Sequence, residues 1–294
     1  MGDQLIKGTA KGAPLLVVGV SCTAAVAEAA RIHDCHPTAA VALGRALGGA
    51  LLFSAMLKEG QRVILQVAGD GPLGGIVAEG DAAGRTRGYV KQPHADLYLP
   101  DGRIDVGGAV GKGILSVVRD LGVRQNYRGS VPMQTGELAE DLAHYLHVSE
   151  QIPSAVALGV FIDPDGSVGA AGGYMLQALP GADDLMLEFL EHRITETKPV
   201  TAMLRDGMTP EEMLKEAIGI PFDILERKEP RYFCPCSRER VLNALAALPM
   251  ADREELSEKG EPVVVTCEFC RTVYEITPEA IRDLASSGTE VEPG

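Results

Sequence analysis

The sequence predicts an α+β protein: an N-terminal domain of mostly antiparallel sheet with central helices, a helical linker, and a small metal-dependent C-terminal domain. Three observations predict it. Strand-length apolar or alternating runs separated by Gly, Asp and Pro turns dominate residues 1–180; capped helical patterns rich in Met and Leu occupy 181–230; and two close cysteine pairs mark 231–294.

The elements follow in chain order. Ala13–Val20 is an apolar run after Lys7 and Lys11, and small residues continue to Ala27. This imitates a secretory leader, but Asp3 spoils the basic start and Pro14 and Gly19 interrupt the run, so a strand followed by a helix is expected, in a cytoplasmic protein. Pro37–Leu57 is apolar almost all round, with Pro suited to a first turn, which predicts a helix buried in the core. Gln61–Val67, Gly75–Glu79 and Arg85–Lys91 read as a strand meander. Gly113–Val118 and Ser154–Ile162 have strand length, the second turning through Asp163-Pro164-Asp165-Gly166 into Ser167–Tyr174, and Gly136–Leu146 between them has helical spacing.

From Asp183 the pattern is helical. Leu185, Met186, Phe189 and Leu190 form one stripe, Thr209-Pro210-Glu211-Glu212 is a capping box with Pro at the first helical position, and Gly219 fits a stop. With Met203, Leu204, Met213 and Leu214 the segment carries more apolar surface than its charge of −6 lets it leave exposed, so a folded C-terminal domain is the expected cover. In the last 64 residues, helices are expected over Ser237–Leu248 and Ala251–Lys259, paired strands over Val263–Thr266 and Thr272–Ile276, and a last helix from Thr277-Pro278-Glu279.

Charge narrows the function classes. The chain holds 27 Lys and Arg against 41 Asp and Glu, a net charge of −14, and residues 181–294 carry −11 of it. Polyphosphates and anionic membranes would be repelled, so neither nucleic acid nor a membrane is an expected partner. No stretch reaches the ~18 consecutive apolar residues of a spanning helix.

Several motifs carry no chemistry on this reading. Gly69-Asp70-Gly71-Pro72-Leu73-Gly74 matches a dinucleotide fingerprint, but a strand rather than a helix follows it. Gly107–Gly113 resembles a phosphate loop, yet Gly113 stands where a magnesium-holding Ser or Thr belongs. His33-Asp34-Cys35-His36 is too compact to converge on one ion and reads as a loop; His144 and His147 read as a solvated pair, and Cys22 as a small buried residue.

The strong signal is Cys234-Pro235-Cys236, 30 intervening residues, then Cys267-Glu268-Phe269-Cys270. Four thiolates suit tetrahedral Zn²⁺. Pro235 holds the first pair extended, so that Cys234 and Cys236 project to one side, while the second pair fits a knuckle between strands. Each pair could also close on itself as a disulfide, so a structural zinc ribbon and a redox-active site both remain open. A unit this small, with four aromatics, has little core of its own. Zinc contributes about 10–16 kcal/mol to folding such domains, so losing the ion should unfold it.

These cysteines, together with Gly69–Gly75, Gly111-Lys112-Gly113, Gly129-Ser130-Val131-Pro132 and Gly136–Leu146, make the whole chain resemble the redox-regulated 33-kDa heat-shock chaperones, the Hsp33 family. The resemblance implies a non-enzymatic, ATP-independent holdase, inactive while reduced and holding one zinc on Cys234, Cys236, Cys267 and Cys270. It further implies that oxidation forms the disulfides Cys234–Cys236 and Cys267–Cys270, expels zinc, unfolds the C-terminal redox-switch domain and linker, and exposes surface for unfolded or oxidatively damaged clients, with homodimerisation on activation. The implied parts are a chaperone domain over 1–180, a linker over 181–230 and a zinc-binding redox-switch domain over 231–294; Cys22 and Cys35 receive no switch role. Two other classes are weighed against it. A zinc-ribbon nucleic-acid binder would need a basic face, which a local charge of −5 denies; a thiol oxidoreductase would need an exposed cysteine of low pKa.

Overall fold

Two antiparallel sheets clasp one apolar helix in the first of two compact units, residues up to 233, in the computed structural model, which describes residues 2–122 and 126–286. The first sheet is built from β1 (Gln4–Ala10), β2 (Leu15–Ser21), β8 (Ser154–Ile162), β9 (Val168–Ala178) and β10 (Phe222–Lys228), in the order β10-β1-β2-β9-β8. The second holds β3 (Arg62–Gly69), β4 (Ile76–Asp81), β5 (Arg85–Val90), β6 (Gly113–Asp120), β7 (Tyr127–Pro132) and β11 (Arg231–Tyr232), in the order β11-β5-β4-β3-β6-β7. Every neighbouring pair is antiparallel except the two-residue β11 beside β5.

The helix α2 (Pro37–Ser54) lies in the core, with α1 (Thr23–His33), α3 (Val106–Val110) and α4 (Leu138–Ser149) around it. All of its residues except Pro37 and Arg45 are buried, because Ala and Gly on several sides let both sheets approach. Gly80 shows how close: a Cβ there would stand 2.5 Å from the Ala50 carbonyl oxygen. The half-buried guanidinium of Arg45 is answered by Glu137, whose other oxygen accepts from the Gly107 amide at 3.2 Å. Among the described residues α2 alone is long and apolar enough to cross a membrane, and 89% of it is buried inside the protein. As expected, β2 and α1 are strand then helix, not a leader-like helix.

The two glycine motifs meet each other instead of a nucleotide. Asp70, Gly71 and Leu73 amides donate to the carbonyls of Lys112, Val110 and Ala109 at 2.9, 3.0 and 3.0 Å, and the Lys112 amide donates to Asp70 Oδ1 at 2.7 Å. Gly111, at φ 75°, permits the tight return. These amides are spoken for, and the first motif runs on into β4.

Residues 181–230 differ from the expectation of helices throughout. α5 (Asp184–Glu196), α6 (Val200–Arg205) and α7 (Pro210–Ile218) are followed by β10, which pairs with β1 through a bulge at Lys7/Gly8 and the ion pairs Lys7–Glu226 and Lys11–Asp223. The capping box is present in both directions, Glu212 N to Thr209 Oγ1 at 3.3 Å and Thr209 N to Glu212 Oε2 at 2.8 Å, and Gly219 closes α7 in the left-handed region. The cover is also different. Met203, Met213, Leu214, Ala217 and Ile218 are buried against Ile6, Leu15, Val17, Tyr174 and Leu176 of the first sheet, so the sheet of the same unit takes this apolar surface. Leu185 and Phe189 stay exposed, at 76% and 46%, while Leu190 of that stripe lies outside the described side chains.

The second unit, from Cys234, contains α8 (Arg238–Ala246), α9 (Met250–Glu258), the hairpin β12 (Val263–Thr266) and β13 (Val273–Ile276), and α10 (Pro278–Ser286). Among its described residues the buried apolar ones are Leu245, Ile276 and Ile281, and α9 buries none. A core of this size does not hold a fold by itself.

Candidate metal centre

The second unit brings Cys234, Cys236, Cys267 and Cys270 together from two loops. Cys234-Pro235-Cys236 leads into α8, whose first turn is closed by Ser237 accepting from the Arg240 amide at 3.2 Å. Cys267 and Cys270 flank the tight turn of the β12–β13 hairpin: the Cys267 amide donates to the Thr272 carbonyl, the Arg271 amide to the Cys267 carbonyl, both at 2.9 Å, and Arg271 takes φ 56° to complete the turn. Hairpin register therefore fixes one half of the cluster.

All four Sγ atoms lie within 4.8 Å of one another, half-buried, and all are free thiols. Sulfurs approach one another across the halves, Cys234 to Cys267 at 3.7 Å and Cys236 to Cys270 at 3.2 Å. Ligands about 2.3 Å from a tetrahedral zinc stand about 3.8 Å apart, so the arrangement fits a four-thiolate metal site with small adjustments. Among the described residues this is the one group of three or more His, Cys, Asp or Glu placed to hold a metal.

Two neighbours that the sequence reading did not assign to the site tune it. Tyr274, counted there only as a core aromatic, donates its hydroxyl to Cys236 Sγ at 3.1 Å, and the Thr272 hydroxyl meets Cys270 Sγ at 3.2 Å. Burial opposes ionisation of Cys270, yet the Thr272 hydroxyl and amide and the adjoining Cys236 and Cys267 thiols hold it down to about 7. Burial pushes Cys236 up to about 12, with the Cys270 and Cys234 thiols pushing the same way and Tyr274 pulling against them. Tyr274 is pushed up to about 12, chiefly by its bond to Cys236. The cluster thus contains one thiol ready to ionise near neutrality beside one strongly disposed to keep its proton.

The remaining candidates do not converge. Cys22 is fully buried, and burial drives its thiol far up; Cys35 is pushed up to about 12 by burial and then by Asp34. His36 pairs with Asp96 at 3.5 Å and Asp34 with His94 at 3.2 Å, so these side chains meet residues outside the motif. On α4, His144 is half-buried beside Gln134 at 3.4 Å and His147 is exposed.

A family model described as Hsp33 protein matches residues 3–277. Relatives called 33 kDa chaperonin include one from Thermodesulfovibrio yellowstonii, 46% identical over 282 residues that make up 96% of this chain and 98% of the relative. Another, from Geobacter sulfurreducens, is 46% identical over 291 residues, 98% of this chain and 97% of the relative. The crystal structure of the 33 kDa chaperonin (heat shock protein 33 homolog) of Thermotoga maritima matches at a TM-score of 0.88 and 35% identity, covering 98% of this chain and 99% of that one. With an α+β fold of antiparallel sheets and a four-cysteine cluster of metal-binding geometry, and matched over its length, this chain belongs to the Hsp33 family.

Proposed function

We propose that the protein is a redox-regulated, ATP-independent holdase whose switch is the four-thiol cluster. Reduced, Cys234, Cys236, Cys267 and Cys270 hold one Zn²⁺, and the protein is inactive. On oxidation each pair of zinc-held thiolates gives two electrons to one hydrogen peroxide, which takes up two protons from solvent and leaves as two waters, and the disulfides Cys234–Cys236 and Cys267–Cys270 form as Zn²⁺ is released. The single observation behind this reading is that the sulfurs lie within 4.8 Å in a unit whose buried core is Leu245, Ile276 and Ile281, so the crosslink is the main support of the fold it would release.

The parts proposed are a chaperone domain over 1–180, a linker over 181–230 and a switch domain over 231–294. Loss of zinc unfolds the last, and the chain leading out of β11 then loosens the α5–α7 layer from the sheet. Ile6, Leu15, Val17, Tyr174 and Leu176, with the helices' own Met and Leu residues, become available to unfolding or oxidatively damaged clients in the cytoplasm. Dimerisation accompanies activation, and the chain's −14 charge keeps nucleic acid and membranes out of the scheme.

The test is suppression of a denatured client's aggregation by oxidised against reduced protein, without nucleotide. Protection by the oxidised form alone is the expected result; equal activity of both forms, or a need for ATP, contradicts it. Cys270, held near 7, favours a second reading as a thiol oxidoreductase. Turnover in an insulin-reduction assay would support that instead.

A further inference from the structure

A methionine sulfur within reach of solvent is an oxidation site whether or not a thiol stands near it. Of the eight described methionines, Met133, Met175, Met203 and Met213 are buried, Met56, Met186 and Met208 are half-buried, and Met250 is exposed. The four within reach differ in what they hold. Met56 follows the C-terminus of α2, Met186 lies in the first turn of α5, and Met250 opens α9, which buries no residue. Met208 stands in the loop between α6 and α7, after the exposed Arg205-Asp206-Gly207, and a Cβ on Gly207 would meet no atom within 4 Å, so the loop is open to a small oxidant.

Met208 also occupies a position that the other three do not. Thr209 is the N-cap of α7 and Glu212 its third helical residue, so Met208 precedes the cap and Met213 is the fourth residue, the two places of a hydrophobic staple that fixes how the chain enters a helix. Both belong to the apolar cluster on the first sheet, Met213 fully buried and Met208 packed against it. The Met208 amide donates to the Met203 carbonyl at 3.0 Å, which ties the same residue to α6. Immediately after the staple the helix comes down on the sheet. A Cβ on Gly19 of β2 would stand 3.1 Å from the Pro210 carbonyl oxygen and 3.1 Å from Leu214 Cδ1.

We propose that Met208 is a second oxidation site, modified by hypochlorous acid, that opens the α6–α7 layer without passing through the thiol cluster. It rests on the holdase reading only for what the opened layer does to clients. The thioether sulfur loses two electrons and takes up one oxygen atom, while the chlorine of HOCl is reduced to chloride and one proton is released, so Met208 becomes the sulfoxide. The product is polar and chiral where the staple needs a flexible apolar side chain. It is drawn to the water at the open side of the loop and away from Met213. The entry of the chain into α7 is then no longer fixed, and Met213, Leu214, Ala217 and Ile218 lose part of their hold on the sheet. Met56, Met186 and Met250 lie outside α7 and its cap, so their oxidation has no such effect. Thiol reductants that restore the cysteines leave the sulfoxide, whose repair needs methionine sulfoxide reductase, so the two sites answer oxidation but reset by different routes.

The test treats the full chain with hypochlorous acid, then with dithiothreitol and Zn²⁺, and reads hydrogen exchange over 210–218 beside peptide mass mapping of each methionine and metal analysis. For wild type the expected result is one added oxygen at Met208 and amides over 210–218 exchanging about tenfold or more faster than in untreated protein, although thiols and zinc are back. Methionine sulfoxide reductase should restore the protection. Met208→Leu keeps an apolar staple that HOCl does not oxidise, and should return to its untreated protection after the same treatment. Met208→Gln puts a polar group before the cap with no oxidant, and should show the fast exchange while fully reduced; this arm does not depend on recovering the cysteines. Met208 left unoxidised, a sulfoxide at Met208 with α7 fully protected, a Met208→Leu chain that opens as far as wild type, or a Met208→Gln chain as protected as wild type would each overturn the proposal. Client aggregation is scored separately by light scattering: α7 opened by Met208→Gln with no protection of a client would fault the holdase reading and leave the oxidation site standing.

Discussion

Tyr274 reaches the four-thiol cluster because β13 pairs with β12 in the register Val265 opposite Tyr274, which carries the phenol back toward Cys236. A hydrogen bond to a ligating sulfur orients it and offsets its charge, and such partners are typically worth about 10- to 100-fold in metal affinity. Tyr274→Phe should therefore weaken zinc retention in a chelator competition by about that factor while leaving the hairpin folded; unchanged retention would mean that the hydroxyl does nothing for the ion. The four clustered cysteines themselves were legible from residue type and spacing. Tyr274 and Thr272 were not, since a donor's aim is set by hairpin register, which spacing does not reveal. Protons compete with zinc here: Cys270, held near 7, is ready as a ligand at neutrality, whereas Cys236, pushed up to about 12, must be forced to ionise. Retention should fall as pH drops from about 8 to about 6, each thiolate recovering its proton as the ion leaves. A flat profile in the same chelator assay would argue against thiolate ligation.

At the scale of elements, sulfur contacts join Cys234 to Cys267 and Cys236 to Cys270, across the two loops. Disulfides within each loop would give up these cross-loop contacts, which would tie oxidation to loss of the local fold. Disulfide mapping after peroxide should find Cys234–Cys236 and Cys267–Cys270; crossed pairs would staple the loops together and contradict release of the unit. The α6–α7 layer offers a second element-scale test. Met213 is fully buried on the first sheet, and Met213→Ala should cost about 2–5 kcal/mol through the cavity it leaves. Hydrogen exchange over 200–218 should rise in the reduced protein, with partial client protection and zinc still bound. Helices and hairpins of this region were legible from caps and turns, such as the Thr209 box and the Asp163–Gly166 turn. β10 was not: Phe222 and Ile224 alternate too briefly, exposed Leu225 breaks the pattern, and the partner strand β1 stands at the opposite end of the unit's sequence. The same gap explains the misassigned cover for the linker, because only the completed sheet provides the face that buries Met203 and Met213.

For the molecule as a whole, the question is which interaction decides between the closed and open states. The first unit has a large independent core around α2, and none of the four clustered cysteines is part of it. Among its described residues the second has three buried apolar residues, and a zinc ion on the four thiols would contribute about 10–16 kcal/mol, against a domain's usual margin of about 5–15 kcal/mol, so on the proposed reading the ion would outweigh every other contribution there. Within the first unit, the layer of α6 and α7 is held by the sheet and by α7's cap, and the short β11 pairing precedes Cys234. If the ion governs the linker, removing two ligands should reproduce the oxidised state without oxidant. A Cys267→Ser, Cys270→Ser variant should carry no zinc in metal analysis. It should lose exchange protection over the second unit and over 181–230, and protect a denatured client at least partly while fully reduced. Amides of α2 should stay protected, since their core does not include the cluster. A variant that lost protection only beyond Cys234 and stayed inactive would show that the linker is held by the sheet alone, and the switch would then have to act on clients through the second unit itself.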